Sequence, residues 1–273
     1  MANFHLPPTG YGPGSQPSDT EGELQYIAMP KDMRIYAPHI PEVEEDVDLT
    51  PALDMLRQIA AACATGAGAF FDLGALNTEN RALMIETMGQ GEVSIKIRGV
   101  PAIAIQESVF AGVWIVSGQN IDGVEVAPVP VAALERSFET IRVGKGLDTV
   151  QGPGLINAPS ILVELLDRSK TLAADAPPHV INLSLLPHSE EDLAWLDAAL
   201  GDGAVSILSR GYGNCRVSAT ALDRVWRVQF FNSTDILILD TFEVTNMPEV
   251  VLAAPEDLTD SGKRILRVLE ALQ

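Results

Sequence analysis

Apolar and polar residues alternate strictly from Val93 to Arg98: Val93, Ile95 and Ile97 are apolar, while Ser94, Lys96 and Arg98 are polar. A period of two is that of a strand with one buried and one wet face. The stretch lies within Gly89-Gln-Gly-Glu-Val-Ser-Ile-Lys-Ile-Arg-Gly99. It returns 112 residues later as Gly201-Asp-Gly-Ala-Val-Ser-Ile-Leu-Ser-Arg-Gly211, with seven of eleven positions identical. The flanks repeat as well. Trp114 and Trp226 keep the same offset, and Glu125-Val126 with Pro130 return as Glu243-Val244 with Pro248 after about six extra residues. Self-similarity at a fixed period marks a duplicated structural unit, so most of the chain reads as one module of about 110 residues written twice.

Periodicity and punctuation supply the rest of each module. In the first, Thr50 caps a helix with Pro51 at its first position and Leu53, Leu56, Ile59, Ala60 and Cys63 on one face. A short strand, Ala69–Leu73, follows. Asn77 or Thr78 caps a second helix, with Leu83, Met84 and Met88 facing inward and Gly89 ending it. Strands are predicted near 103–105, 108–116 and 124–126, then a helix over 131–143 with Leu134, Phe138 and Ile141 on one stripe. The second module repeats the plan: a helix over 157–171, a strand over 180–183, a helix capped by Ser189, further strands ending at 244, and a last helix opened by Pro255.

The strands that follow each Gly-x-Gly turn are close in sequence and imply an antiparallel meander, whereas the strand–helix–strand step before it could be parallel. The expected fold class is therefore α+β, with two tandem homologous modules, each a mixed sheet with helices, related by a pseudo-two-fold. Their expected boundaries are 51–150 and 151–273, divided at the glycine-rich loop Gly144–Gly154. Residues 1–50 read as an extended arm, interrupted by Gly12-Pro-Gly-Ser-Gln-Pro17 and closed by five acids in Glu42–Asp48. Its apolar clusters, Leu24 to Met29 and Met33 to Tyr36, allow an ordered strap; without them a disordered tail is the reading.

Composition narrows the function. Apolar residues make up 47% of the 273, enough for a large core. A net charge of −19, spread along the whole chain, repels phosphate backbones and argues against nucleic-acid binding. It suits solubility, or a basic partner segment. Met1–Gly14 has neither a basic start nor an apolar centre, and no uncharged apolar run reaches about 18 residues. Neither a signal peptide nor membrane insertion is expected. Cys63 and Cys215 stand alone, without Cys-x-x-Cys or nearby histidine, and read as small buried residues of a reduced, cytoplasmic protein.

Candidate chemistry is sparse. No nucleophile elbow and no His-Glu-x-x-His is present, and the four histidines are scattered. Gly144-Lys145-Gly146 lacks the first glycine and the hydroxyl residue of a phosphate loop. The Gly-x-Gly turns lead out of a helix into a strand, the reverse of a phosphate cradle, and read as helix C-caps. Acids at Glu190–Asp192 and at Glu256 and Asp257 fall in first helical turns, where the helix dipole favours them. Val250–Ala254, uncharged and set between two prolines, either packs inward, the favoured reading, or presents an apolar surface to another protein.

Gly12-Pro-Gly-Ser-Gln-Pro17, the Val180-Ile-Asn-Leu183 strand leading to Pro187, the Gly-x-Gly strand and above all Pro248-Glu-Val-Val-Leu-Ala-Ala-Pro-Glu-Asp-Leu258 resemble the HupH/HyaF family of nickel–iron hydrogenase expression proteins. The resemblance implies an accessory chaperone or assembly factor of uptake-hydrogenase maturation, not an enzyme. It implies as partners the precursor of the iron–sulfur small subunit before export and a thioredoxin-like companion chaperone. It implies no catalytic residue, metal site or cofactor. Pro248, Glu249, Pro255, Glu256 and Asp257 carry over as a motif. With Arg210 and Tyr212, at the end of the second Gly-x-Gly strand, they form the candidate partner-binding set. Two other readings stay open: an iron–sulfur or metal carrier in the same pathway, which two isolated cysteines disfavour, and a small-molecule enzyme with its site at the module seam.

Overall fold

The computed structural model of the chain describes residues 47–66, 68–150, 152–173, 176–210 and 214–272. Nearly all of the expected N-terminal arm, residues 1–46, lies outside the described residues. The first half comprises α1 (Thr50–Thr65), β1 (Ala69–Asp72), α2 (Thr78–Met88), β2 (Val93–Ile97), β3 (Ile103–Glu107), β4 (Val113–Gly118), β5 (Ile121–Val126) and α3 (Val131–Arg136). The second comprises α4 (Ala158–Thr171), β6 (His179–Asn182), α5 (Glu190–Leu200), β7 (Val205–Ser209), β8 (Asn214–Ala219), β9 (Val225–Phe231), β10 (Leu237–Val244) and α6 (Pro255–Ala271).

The ten strands of the described residues form one sheet, in the order β1-β5-β4-β3-β2-β7-β8-β9-β10-β6, and each of these pairings is antiparallel. The fold is α+β, as expected, but the sheet is neither mixed nor confined to one half. The meander occupies one edge of β2 through β3, and β7 occupies the other, with Ile95 directly opposite Ile207. No edge of β2 is left for β1, which pairs with β5 instead, so the expected parallel step does not form. Ile95 and Ile207 are the same position of the sequence repeat, and the two Gly-x-Gly strands thus join the halves.

One face of the central strands is apolar. Val93, Ile95, Ile105, Trp114, Val205, Ile207, Val217 and Trp226 pack there beneath Ala133 of α3 and Met247 and Val251 of the chain after β10. The other face of these strands is the wet one that the alternation predicts, with Lys96 and Arg216 exposed and Ser94 and Ser206 half-buried. Towards each end of the sheet, helices cover that second face. Val113, Val124 and Val126 pack with α1, α2 and α6. Val225, Phe242 and Val244 pack with α4 and α5.

Two segments cross between the halves. α6, from the second half, lies on α1 and sends Leu258, Ile265, Val268 and Leu269 into the core of the first. In the other direction, the chain after α3 runs onto the second half, where Arg142 pairs with Asp202 and Asp197 and the Phe138 ring meets Trp226 edge-on at 5.2 Å. This crossing explains why α3 stops at Arg136, short of the predicted 143. The Ser137 carbonyl accepts from the Ala204 N–H at 3.0 Å and the Arg142 carbonyl from the Asp202 N–H at 2.9 Å, bonds that a continuing helix would forfeit. The expected stripe is split accordingly: Phe138 packs on the core, while Leu134 and Ile141 are exposed.

Local caps recur at the 112-residue offset, as Asn77 and Ser189 do. Thr50 is the first residue of α1 rather than its cap: Leu49 is the N-cap and offers no side-chain bond, while the Thr50 N–H donates to Asp48 Oδ1 at 3.0 Å and hydrogen bonds from Thr50 hold the Asp48 carboxyl below its usual range. Ser189 caps α5 in a reciprocal capping box with Asp192. Asp192, fully buried, also accepts at Oδ1 from the N–H groups of Ile156, Asn157 and Ala158, which ties the start of α4 to α5. Asn80 stands 112 residues earlier and does the same for α1, accepting from the Ala52 N–H at 2.9 Å. Burial pushes the Asp192 carboxyl up, but its backbone donors outweigh that and bring it to about 2. A carboxyl lowered on folding stabilises the fold above its ordinary range, near pH 4, and loses that contribution as pH falls towards 2. Asp192→Ala is expected to cost about 2–4 kcal/mol in urea unfolding. Asp192→Asn, which copies the first half, is expected to cost less and to lose the acid-dependent part of the difference.

Candidate functional site

The motif-bearing stretch after β10 is a strap over the apolar face of the sheet. Met247 and Val251 are buried in the central core, with Glu249–Val251 forming a single 3-10 turn. The Ala253 N–H donates to the Pro128 carbonyl at 2.9 Å, and Leu258 then enters the first-half core. The loop therefore packs inward through Met247, Pro248 and Val251 and again at Leu258. Of the motif residues, Pro248 is buried, whereas Glu249, Pro255, Glu256 and Asp257 are exposed, the last two in the first turn of α6.

Acids lie beneath and beside the strap. Glu125 and Glu243 stand opposite Trp114 and Trp226 on neighbouring strands. Burial pushes both carboxyls up; the Val131 N–H, donating to Glu125 at 2.8 Å, opposes this for one, and a Thr241 hydroxyl for the other. Burial likewise raises Glu107, against a backbone bond from Gly112. Carboxyls raised on folding favour the folded state as pH falls, the opposite sign to Asp192. Burial pushes the Cys63 thiol up to about 11, and burial with the Glu243 charge pushes Cys215 up to about 12. Both thiols are protonated at neutral pH and make poor nucleophiles and poor metal ligands. Among the described residues, no three His, Cys, Asp or Glu side chains are grouped to hold a metal ion, and no helix is long and apolar enough to cross a membrane.

Arg210 is exposed at the end of β7, its N–H bound to the Glu92 carbonyl at 3.1 Å. Tyr212, its companion in the sequence-derived set, lies outside the described residues. Arg210 lines a cleft of about 480 Å³ with Leu208, Asn214, Arg216, Phe231 and Asp235, and no strap residue is among the described residues lining it. The candidate set is thus divided between the strap and this cleft.

Sequence reasoning missed what adjoins the cleft. β9 and β10 are joined by a longer hairpin than β4 and β5, and its apolar residues are exposed: Ile236 at 61% and Ile238 at 60%, with Leu185 at 80% beside β10. An aliphatic run next to a strand reads as core, so periodicity alone hides such a patch. The one available signal was the set of extra residues that the second module carries there.

The family model described as "HupH hydrogenase expression protein, C-terminal conserved region" matches residues 52–140 and 155–272. The chain belongs to this HupH family. The two matched regions fall on the two halves described above, and the gap between them is the segment that crosses from α3 to α4. Several relatives match over nearly their full length. The chain is 59% identical to "Hydrogenase expression/formation protein HupH" of Rhodobacter capsulatus, covering 100% of both proteins. It is 43% identical to "Hydrogenase expression/formation protein HoxQ" of Cupriavidus necator, over 99% of this chain and 98% of that one. It is 30% identical to "Hydrogenase-1 operon protein HyaF" of Escherichia coli, over 98% and 96%. The HupH/HyaF resemblance read from the strap motif is therefore correct.

Proposed function

We propose that this chain is a non-enzymatic assembly factor of nickel–iron hydrogenase maturation that holds the precursor of the iron–sulfur small subunit before export. The observation that carries the reading is the end-to-end similarity to proteins named for hydrogenase expression and formation. The surface supports it: an exposed aliphatic cluster at Leu185, Ile236 and Ile238 suits a protein partner better than a small molecule. A net charge of −19 raises encounter rates with a basic partner segment. In this reading the protein acts in the cytoplasm, beside a thioredoxin-like companion chaperone, and the buried acids and thiols serve packing.

The same reading takes the two halves as duplicated modules about a pseudo-two-fold. The mirror-like strand order, the Ile95–Ile207 pair and the two crossing segments support it. A duplicated body of this kind offers one broad sheet and two helical flanks on which a partner chain can lie.

The test is co-elution of the purified full chain with the small-subunit precursor, with and without its leader, followed by crosslink mapping. A stable complex with at least one form is expected. Absence of a complex with both would remove the reading.

A further inference from the structure

We infer that the cleft at the end of β7 is an anion site that takes a carboxylate from a protein partner. Two guanidiniums line it, those of Arg210 and Arg216. Two other arginines beside the sheet are neutralised by acids, Arg81 by Asp122 and Arg227 by Asp240. Among the described residues, neither Arg210 nor Arg216 has an ion-pair partner. Among the described residues, Asp235 is the only acid lining the cleft, and its Oδ1 is already engaged by the Asn214 side-chain amide at 3.0 Å. The cleft is therefore a cationic spot on a chain of net charge −19. At cellular salt the Debye length is about 8 Å, so the nearby guanidiniums outweigh the acids spread over the rest of the surface.

The repeat shows that these features are not needed for folding. Arg98 occupies the position of Arg210 in the first half and donates to the Gly203 carbonyl at 2.7 Å, bracing the joined strands. The equivalent acceptor for Arg210, the Gly91 carbonyl, is taken by the Gln106 side chain at 3.1 Å, which leaves the Arg210 guanidinium in the cleft. Arg216 stands where the first half has Ala104. Phe231 and Asp235 belong to the hairpin that is longer in the second half. The Arg216 guanidinium carbon lies 5.6 Å from the centre of the Phe231 ring, a cation–π contact that helps hold the guanidinium beside the cleft. Leu208 and Phe231 supply apolar flanks. A pair of forked donors with an apolar border fits an acidic side chain, or a chain-terminal carboxylate, with an apolar neighbour. One oppositely charged spot on an acidic surface sets the register of a partner that the rest of the surface only attracts.

Naming a protein-borne carboxylate rests on the assembly-factor reading, but the test does not use a hydrogenase subunit. The probes are a labelled peptide with two glutamates between leucines, its glutamine twin, the same glutamine sequence ending in a free carboxylate, and inorganic phosphate. Binding to the full chain is read by fluorescence anisotropy, with the unlabelled phosphate as a competitor. One of the carboxylate-bearing peptides is expected to bind at least about tenfold more tightly than the amidated glutamine twin. Which one it is separates a side-chain from a terminal carboxylate. Arg210→Gln and Arg216→Gln are each expected to weaken it about tenfold with unchanged melting, because both side chains are exposed. Lys263→Gln, the same charge change on α6, is expected to leave it unaltered. Equal binding of all peptides, wild-type affinity in both arginine variants, or binding of phosphate alone overturns the site. If the peptide binds but no precursor co-elutes, the site stands and the small-subunit reading falls.

Discussion

Ending the chain after Ala254 is expected to unfold the first half of the protein, although the missing helix belongs to the second. α6 places Leu258, Ile265, Val268 and Leu269 among α1, α2 and the strands β4 and β5. Each fully buried aliphatic side chain contributes about 1.5–3 kcal/mol, so the four together approach the whole stability of an ordinary domain, about 5–15 kcal/mol. The fit is close as well as apolar. Gly112 adopts a left-handed φ of 75°, and a Cβ there would lie 2.0 Å from the Leu258 side chain. A Cβ on Gly262 of α6 would likewise lie 2.9 Å from the Ala60 carbonyl oxygen. The Ser261 hydroxyl donates to the Ala111 carbonyl at 2.9 Å, fixing the register of the helix along its groove. Hydrogen exchange is the direct measurement: amides of α1, β1 and β5 should lose protection before those of α4 and β10. Retained protection in β5 would show that the first half closes its own core. Leu258→Ala, a smaller lesion at the same contact, is expected to cost about 2–5 kcal/mol.

Trp226→Ala should remove about 3–5 kcal/mol, the second large effect. The ring is fully buried in the central core, in edge-on contact with Phe138 from the crossing segment, and its Nε1–H donates to the Thr245 carbonyl at 3.2 Å. Truncation leaves a cavity, frees the Thr245 carbonyl and loosens the segment that Phe138 anchors. Trp114 is held in the same way, donating to the Ala127 carbonyl at 2.9 Å, but among the described residues it has no aromatic partner of its own. Trp114→Ala is therefore expected to be slightly milder. For a chain of this size each kcal/mol lowers the melting temperature by about 2–4 °C, so calorimetry should find a drop on the order of 10 °C for Trp226→Ala. A drop of only a degree or two would mean that the core recloses around the gap. Trp226→Phe separates the contributions, because it keeps most of the packing and deletes the hydrogen bond, worth about 1 kcal/mol.

Arg210 shows how far the candidate site was legible. It stands in the candidate set with Tyr212 at the end of the second Gly-x-Gly strand, but its repeat partner Arg98, also followed by a glycine, donates to the Gly203 carbonyl between the joined strands. The Gln106 side chain, which takes the Gly91 carbonyl, separates the two. The strap was legible in outline: two prolines around an apolar run read as a packed loop, and Met247 and Val251 are buried. That its acids face solvent, and that no strap residue lines the Arg210 cleft, depends on how β10 leaves the sheet.

Most strands, the Asn77 and Ser189 caps and the sequence repeat were readable because each depends on residues a few positions apart or on a match within the chain. Val93, Ile95 and Ile97 must share a face in any sheet, and Ser189 must cap a helix that begins beside it. Pairing between distant segments carries no such local mark. An amphipathic strand suits several neighbours equally, and an apolar helix stripe such as that of α6 fits any groove of the right width. Which strands took the two edges of β2, which half α6 covered and where α3 had to stop were settled by long-range burial and by backbone groups that needed partners, and these exist only once the whole chain has closed.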